Sequence, residues 1–324
     1  MKATLIEEEF VFGGEMPFAS CHASTLVVLS SGDMLAAWFG GSREGAGDVG
    51  IWMARRSGGA WDEPALMASE AGLPHWNPVL FSPDGIDVRL YYKVGPAIPE
   101  WRTMERRSAD GGRAWTEARE LVPGDRSGGR GPVKNKPIAT AEGLILAPAS
   151  VEGRYWDAFV DISEDGGETW RASELVAFPH DDSYEGTGLI QPTLWESHPG
   201  SVHMLMRSRT GLIWRSDSRD GGRTWGAGYP TCLPNNSSGI DLARTVKGAL
   251  ALAYNPVGMP KGPRTPLVLG LSGDDGGTWR QGAVLEIEPG EYSYPAVVAV
   301  GGDVCVAYTW NRRRIAYRRY AIEL

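Results

Sequence analysis

Polar side chains stand where several apolar stretches of this 324-residue sequence begin. Histidine titrates near neutral pH and can accept a proton, while amides, lysine and carboxylates bind polar ligands. A set of such residues at successive strand starts predicts a ligand site, although the same groups could instead hydrogen-bond one another and cap a channel. The candidates are His22, Asn77, Asn135, Lys136, Gln191, Asp241 and Tyr292.

One motif recurs along the chain. The segments SADGGRAW (108–115), SEDGGETW (163–170), SRDGGRTW (218–225) and SGDDGGTW (272–279) share serine, aspartate, glycine and tryptophan positions, and SGGAW (57–61) keeps the closing tryptophan. These tryptophans follow one another at intervals of 54, 55, 55 and 54 residues. A fixed period of about fifty residues predicts repeated units that bury their apolar faces against one another.

Each repeat has the pattern of four antiparallel strands. Short apolar runs such as HWNPVLF and VRLYYKV alternate with Gly, Pro and Asp turns, and in the motif itself the aspartate and glycines suit a tight turn. Six such units predict an all-β fold, a six-bladed β-propeller of four-stranded antiparallel blades that forms a single domain over residues 1–324. Because the last unit lacks a fourth strand, we expect the N-terminal segment ATLIEEEFVF to complete it.

Composition excludes several classes of protein. A net charge of -8 argues against nucleic acid or an anionic membrane as partner, and no apolar run is long enough to span a bilayer. The three cysteines lie far apart in the sequence and match no metal-ligand spacing, which favours a reducing compartment. The start MKATLIEEEF has no apolar signal core, so we expect a cytoplasmic protein.

The repeated motif resembles the Asp-box, S-x-D-x-G-x-x-W, of sialidases and other propellers with BNR repeats. Four complete copies in register make the match specific, and the resemblance covers the whole chain. Membership of the sialidase superfamily implies an arginine triad that grips a sugar carboxylate, an aspartate acid/base in the first blade, and a tyrosine nucleophile assisted by a glutamate. It therefore implies an exo-acting glycoside hydrolase for a carboxylate-bearing sugar.

Two segments resemble the family's acid/base loop and its tyrosine strand. FGGSREGAGDVG is similar to the first-blade loop, which implies Asp48 as the acid/base and Arg43 as a substrate ligand. VCVAYTWNRRR is similar to the strand that carries the nucleophile, which implies Tyr308 in that role. Trp310 ends the same strand, where its ring would stack on a sugar. Asp48 could instead be a turn carboxylate between glycines.

Two further segments resemble those that carry the triad arginines. HMLMRSRTG implies Arg207, with Arg209 as the near alternative, and YNPVGMPKGPRTPL implies Arg264. Two arginines can hold a carboxylate through paired hydrogen bonds. Either one could instead belong to a surface ion pair.

The sequence also departs from the family pattern. His22 stands where sialidases begin the first inner strand with an arginine, and Gln191, sixteen residues before Arg207, stands where they have the glutamate. An amide cannot take a proton from a tyrosine. These departures argue against ordinary sialic acid as the substrate.

Two reactions fit His22, Asp48, Tyr308 and the arginines. In hydrolysis, Asp48 protonates the leaving oxygen while Tyr308 or a water held by His22 attacks the anomeric carbon. In elimination, His22 or Tyr308 removes the proton next to a uronate carboxylate and the arginines stabilise the resulting charge, as in propellers that act on rhamnosyl-glucuronate.

Other classes of function remain open. A non-catalytic carbohydrate-binding propeller is the second alternative, and a protein-interaction propeller is a third. The five histidines are scattered, so we expect no metal and no cofactor. The expected partner is an acidic sugar or oligosaccharide.

Overall fold

The computed structural model describes residues 1–183 and 186–323, and the regular secondary structure in that part of the chain is almost all strand. A 3-10 helix spans Ile98–Glu100. The strands, in chain order, are β1 (Lys2–Phe10), β2 (Ser20–Val28), β3 (Met34–Gly41), β4 (Gly50–Ser57), β5 (Ala60–Trp61), β6 (Ala65–Ala68), β7 (His75–Phe81), β8 (Val88–Val94), β9 (Arg102–Ser108), β10 (Arg119–Glu120), β11 (Ile138–Ala139), β12 (Ile145–Glu152), β13 (Tyr155–Ser163), β14 (Arg171–Ala172), β15 (Thr187–His198), β16 (Ser201–Ser208), β17 (Leu212–Ser218), β18 (Tyr229–Pro234), β19 (Asp241–Arg244), β20 (Leu250–Tyr254), β21 (Leu267–Ser272), β22 (Arg280–Glu286), β23 (Tyr292–Val300), β24 (Asp303–Trp310) and β25 (Arg314–Glu323).

Consecutive strands pair as antiparallel hairpins, as the sequence predicts. The first sheet contains β2, β3 and β4 with β5 and β6 both on β4, the second contains β7 to β10, and another contains β19 to β22. The strands β11 to β14 and β15 to β18 form one larger sheet, because β13 and β15 share a short parallel pairing at Tyr155↔Thr187 and Trp156↔Gly188. Hairpins with Gly and Pro turns account for this local order.

The N-terminal strand completes the last sheet. Its order is β1, β25, β24, β23, with Lys2 opposite Glu323 and Phe10 opposite Ala316. The two ends of the chain are therefore held in one sheet, which confirms the expectation drawn from the short last repeat.

Apolar clusters lie between neighbouring four-strand units. The units, in chain order from the first to the last, are β2–β6, β7–β10, β11–β14, β15–β18, β19–β22, and β23–β25 with β1. Leu35 and Phe39 of the first unit pack with Leu90 of the second, and Leu205 of the fourth packs with Leu252 of the fifth. Further clusters join the second unit to the third, the third to the fourth and the fifth to the last. Trp38 of the first unit packs in one cluster with strands of the last. Each sheet is thus buried on both faces, which explains its nearly continuous apolar strands.

The Asp-box builds the turn predicted for it. In the third complete copy, the Asp220 carboxylate accepts hydrogen bonds from the backbone N–H of Arg223 (3.1 Å) and Thr224 (2.9 Å), and Ser218 Oγ donates to it at 2.7 Å. Gly222 has a φ of 86°, and a Cβ there would lie 2.6 Å from Leu146 of the preceding unit. Glycine is therefore required both for the backbone conformation and for the close packing of neighbouring units.

No helix among the described residues is long and apolar enough to cross a membrane.

Replacement of Asp220 by alanine tests the turn. Burial works against it, but hydrogen bonds from Thr224 and Ser218 lower the pKa of Asp220 to about 2. The carboxylate's contribution is therefore complete above about pH 4 and is lost as the pH falls towards 2. We expect Asp220→Ala to lower the free energy of unfolding by about 1–2 kcal/mol at pH 7, measured by urea denaturation. Asp220→Asn, which keeps one acceptor, should lose less; equal stability of all three proteins would contradict this role.

Candidate active site

The first strand of a unit is its inner strand. In four units the inner strand carries a β-bulge at the same place. Register shifts lie between His22 and Thr25 in β2, Trp76 and Val79 in β7, Ile190 and Thr193 in β15, and Ser293 and Ala296 in β23. The bulged residues have left-handed backbone, and they are Ala23 (φ 57°), Asn77 (φ 38°), Gln191 (φ 52°) and Tyr294 (φ 51°). A bulge breaks the alternation of side chains along a strand and re-aims the side chain it carries, and left-handed non-glycine residues are concentrated at functional sites.

Tyr294, Gln191 and Arg207 form one hydrogen-bonded group. Arg207 Nη1 donates to Tyr294 Oη at 3.0 Å and to Gln191 Oε1 at 3.1 Å, and Gln191 Nε2 donates to Tyr294 Oη at 3.3 Å. The Arg207 guanidinium also lies over the Trp156 ring, 5.4 Å from its centroid. Among the described residues no carboxylate lies within ion-pair distance of Arg207, and its buried Nε has no hydrogen-bond partner. Arg207 is therefore a cation whose hydrogen-bond partners among the described residues, Gln191 and Tyr294, are neutral.

Arg264 reaches the same tyrosine from the loop before β21. Its guanidinium lies 5.7 Å from the Tyr294 ring centroid and pairs with Glu291 at 2.7 Å. Glu291 also pairs with Arg312 at 2.8 Å, and Arg312 in turn pairs with Glu44 of the first-unit loop. Burial opposes ionisation of Glu291, but Arg264 and Arg312 hold its pKa below the usual value. Glu291 thus shares its charge between two arginines.

His22 stands beside the tyrosine as a neutral ring. Its centroid lies 4.3 Å from that of Tyr294, and its Nδ1 is 2.9 Å from Thr309 Oγ1. Burial, followed by repulsion from Arg312 and Arg264, lowers the pKa of His22 well below its usual value. At the position where the resemblance to sialidases implies an arginine, His22 therefore adds no positive charge.

Asp48 lies in the exposed loop between β3 and β4. Its carboxylate accepts hydrogen bonds from the backbone N–H and the hydroxyl of Ser42, both at 2.9 Å. The hydroxyl bond is the main cause that holds the pKa of Asp48 below its usual value, and Arg43 nearby contributes. The same loop reaches Arg312 through the ion pair of Glu44. The structure does not show a direct contact between Asp48 and Tyr294.

Tyr308, predicted as the nucleophile, lies away from the arginines of the site. Tyr308 is fully buried among the apolar residues between the fifth and last units, where its hydroxyl donates to Glu286 at 2.6 Å. As a residue of β24 opposite Ala316, it follows the regular pleat into the core. Tyr294, at the bulge of β23, is the tyrosine beside Gln191 and Arg207. The contacts therefore bring Tyr294, and not the predicted Tyr308, together with Gln191 and Arg207.

Lys136 and Asp241, predicted as substrate ligands, bind each other. Lys136 Nζ lies 2.9 Å from the Asp241 carboxylate, which also accepts hydrogen bonds from Thr193 Oγ1 and Val297 N–H, both at 2.7 Å. Asp241 is buried and joins strands of several units. The alternative interpretation, in which polar groups at strand starts bond one another, describes this pair.

Asn77, Trp310 and Arg43 are not joined to the Tyr294 group by any contact among the described residues. Asn77 is buried at the bulge equivalent to that of Gln191. Trp310 packs edge-on against Phe10 of the N-terminal strand, with ring centroids 5.5 Å apart, and Arg43 is exposed. Their substrate roles stay predictions.

Comparisons with known proteins identify the family of the chain. A protein-family model described as a BNR repeat-like domain matches residues 32–306. The chain belongs to the BNR repeat-like family. A search of curated proteins finds no match for it.

Solved structures resemble this BNR repeat protein over most of its length. A Hadza microbial sialidase, Hz136, has 18% identity and a TM-score of 0.76, over 93% of this chain and 65% of its own. A Trypanosoma rangeli sialidase bound to the inhibitor DANA has 15% identity and a TM-score of 0.72, over 93% and 55%. A protein of unknown function from Dyadobacter fermentans has 17% identity and a TM-score of 0.82, over 99% of both chains. The chain thus spans about two thirds of the first sialidase and about half of the second, and these likenesses establish the fold.

Sequence reasoning missed Tyr294 and Glu152. Tyr294 precedes a proline inside an inner strand, as Asn77 and Gln191 do, and this shared X-Pro step marks three of the four bulges, the exception being Ala23. Glu152 ends β12 opposite Trp156, and no motif distinguishes it. Burial raises the pKa of Glu152, although Arg207 and the Gln191 side chain act in the opposite direction.

No three His, Cys, Asp or Glu side chains in the described ranges are grouped so that they could hold a metal ion.

The neutral His22 gives a pH-dependent stability. Because the folded protein leaves this ring unprotonated, the unfolded chain binds more protons below about pH 6.5, and the free energy of unfolding falls as the pH drops through that value. We expect His22→Gln to make urea stability less dependent on pH between about 5 and 6.5. His198→Gln, at an exposed position, is the control. A slope that survives His22→Gln unchanged would contradict a neutral His22.

Proposed function

We propose that the protein is a sialidase-like glycoside hydrolase that removes a carboxylate-bearing sugar from the end of a glycan. The observation that carries the proposal is Arg207, a cation without a carboxylate partner in the described part of the chain, placed 3.0 Å from a tyrosine hydroxyl. Arg264, 5.7 Å from the centroid of the same tyrosine ring, supplies a second guanidinium. Two such groups suit a carboxylate, and the family resemblance supplies the role of the tyrosine.

The architecture that we propose is a single domain with six blades in a closed ring. Six four-strand units, apolar clusters between consecutive units, and the packing of the first unit against the last support it. Two cavities of about 400 and 390 Å³, one beside β15 and β19 and one beside β2 and β7, share Lys136 and Val298 in their linings. These shared linings support an axis that the inner strands of the units approach together.

In the proposed reaction Arg207 and Arg264 bind the sugar carboxylate and Tyr294 attacks the anomeric carbon. Asp48 protonates the leaving oxygen and then accepts a proton from the water that releases the sugar. The neutral His22 lies against Tyr294, at the position where the resemblance to sialidases implies a third arginine.

Elimination is the second candidate, and His22 favours it. A neutral imidazole packed against a tyrosine and close to two arginines could remove the proton next to a uronate carboxylate. Its product would be an unsaturated uronate, which absorbs ultraviolet light, whereas hydrolysis gives a saturated sugar.

Variants of the two tyrosines test the site against a panel of sialosides and rhamnosyl-glucuronides. We expect Tyr294→Phe to lower kcat/KM by up to about 10⁶-fold, because it removes the nucleophile. Tyr308→Phe, whose ring lies in the core, should keep activity near that of the wild type. Full activity of Tyr294→Phe would refute the hydrolytic mechanism. Binding of the sugars by the wild-type protein without turnover would instead indicate a carbohydrate-binding protein.

Asp48 is tested through the leaving group and the pH profile. We expect Asp48→Asn to slow release of a poor alkoxide leaving group by about 10²–10⁴-fold, and release of a nitrophenolate much less, because only the former needs a proton. Ser42→Ala removes the hydroxyl bond that favours the carboxylate, so the protonated acid should persist to higher pH and the alkaline limb of kcat/KM should move upwards. An equal loss on both substrates would exclude Asp48 as the acid.

A further inference from the structure

Two adjacent buried side chains just before β11, those of Lys134 and Asn135, bond the bulges of other units. Asn135 Nδ2 donates to the carbonyl oxygen of Gln191 at 3.1 Å and to that of Pro192 at 3.0 Å. Both carbonyls belong to the bulge of β15 in the fourth unit. A bulge interrupts the ladder of strand hydrogen bonds, and buried carbonyls at that point need donors from elsewhere. Asn135 supplies such donors from the third unit.

Lys134 has the same relation to the bulge of β23. In the described part of the chain its Nζ donates to three oxygens, which are Asn135 Oδ1 at 2.8 Å, the Ile240 carbonyl at 3.0 Å and the Pro295 carbonyl. Pro295 follows Tyr294 in the bulge of the last unit. Three acceptors match the three N–H groups of a lysine ammonium, and because lysine can only donate, the oxygen of the Asn135 amide must face it. Lys134 and Asn135 are therefore bonded to each other as well as to the two bulges.

The ring of Tyr294 lies beside the same lysine. Lys134 Nζ is 5.8 Å from the ring centroid. A Cβ at Gly239 would lie 3.2 Å from Lys134 Cε and 3.3 Å from Tyr294 Cδ2, so the lysine stem and the ring pack on one glycine. Lys134 thus borders the tyrosine at its ring and at the carbonyl of the residue that follows it.

Burial makes Lys134 a costly residue for a purely space-filling role. It lowers the pKa of Lys134 to about 7, although Asp241 acts in the opposite direction. An ammonium group loses its hydration on burial, and an apolar side chain of similar volume would fill the same space without that cost. The feature that needs a reason is therefore the donor and not the volume of the side chain.

We propose that Lys134 and Asn135 are positioning residues that fasten the bulges of β15 and β23 to each other. The link runs from the Pro295 carbonyl through both side chains to the Gln191 carbonyl. It thereby sets the contact between Gln191 Nε2 and Tyr294 Oη, which at 3.3 Å is already long for a hydrogen bond and is lost if either bulge moves. That this contact serves catalysis rests on the proposed function, whereas the link itself does not.

Lys134→Met tests the link, and Lys93→Met is the matched control. Lys93 in β8 is also buried, its Nζ bonds Thr103 Oγ1 at 2.6 Å and the Arg130 carbonyl at 2.5 Å, and burial likewise lowers its pKa to about 7. Methionine keeps most of the lysine stem and removes the donor in both variants. Both should therefore lower the melting temperature, but only Lys134→Met removes a bond to a bulge of the site.

The kinetic outcomes separate positioning from general support of the fold. We expect Lys134→Met to lower kcat/KM by about 10²-fold, because a displacement of about 1 Å at reacting groups has an effect of that size. Lys93→Met should keep kcat/KM near that of the wild type. Equal losses in the two variants, or wild-type kcat/KM in Lys134→Met, would overturn the proposal.

Asn135→Ala cuts the same link on the side of β15, and it keeps the test available if Lys134→Met fails to fold. We expect a loss of kcat/KM comparable to that of Lys134→Met. The double variant should lose little more than the more affected single variant, because a link that is already cut cannot be cut again. Losses that multiply would show two independent contacts and would refute a single link.

Fluorine NMR tests the link without any activity. A 3-fluorotyrosine placed only at position 294 reports the surroundings of that ring. Lys134 lies close enough to act on the resonance directly, so Asn135→Ala, on the other side of the link, is the decisive variant. Its resonance should shift or broaden relative to the wild type, while that of Lys93→Met should not move.

The NMR result also separates the link from the proposed function. An unchanged resonance in Asn135→Ala would refute the link whether or not the protein is a hydrolase. A shifted resonance together with a wild-type protein that turns over no sugar of the panel would support the link and refute the proposed function alone.

Discussion

The bulges in the inner strands are the constraint on which the site depends. A regular strand places successive side chains on opposite faces, and here both faces are covered by neighbouring sheets. One extra residue with left-handed backbone breaks that alternation, so Gln191 and Tyr294 reach each other from different units. Each such residue costs about 1–3 kcal/mol, which the surrounding apolar strands offset. Proline fits the next position because a bulge leaves a ladder N–H unnecessary.

The site has fewer anionic than cationic side chains. Glu291 serves both Arg264 and Arg312, while Arg207 contacts only neutral hydrogen-bonding groups among the described residues. A partly buried guanidinium without a counter-ion is costly, and a bound carboxylate would relieve that cost. Burial, together with the same positive surroundings, lowers the pKa of His22 and keeps it neutral. The arginines that favour an acidic ligand therefore add to the effect of burial on the histidine.

Structural and functional polar groups are distinguished by their partners. Asp241 is saturated by Lys136, Thr193 and the N–H of Val297, so it fixes the units to one another and has no capacity left for a ligand. Asp220 is likewise committed to its turn. Gln191 differs, because its side chain donates to Tyr294 and accepts from Arg207, which itself contacts Tyr294. A polar residue at a strand start can thus be either structural or part of the site, and only its contacts show which.

The sequence by itself determined the local order: a repeat of 54 or 55 residues, the Asp-box turns, the hairpins, and the N-terminal strand in the last sheet all follow from short-range patterns of glycine, aspartate and alternating apolar residues. It also identified Arg207, Arg264, Gln191 and His22, which the fold brings together. Only the tertiary structure decided which tyrosine joins them, because Tyr308 and Tyr294 lie on neighbouring strands and one bulged residue separates a side chain in the core from one beside Arg207.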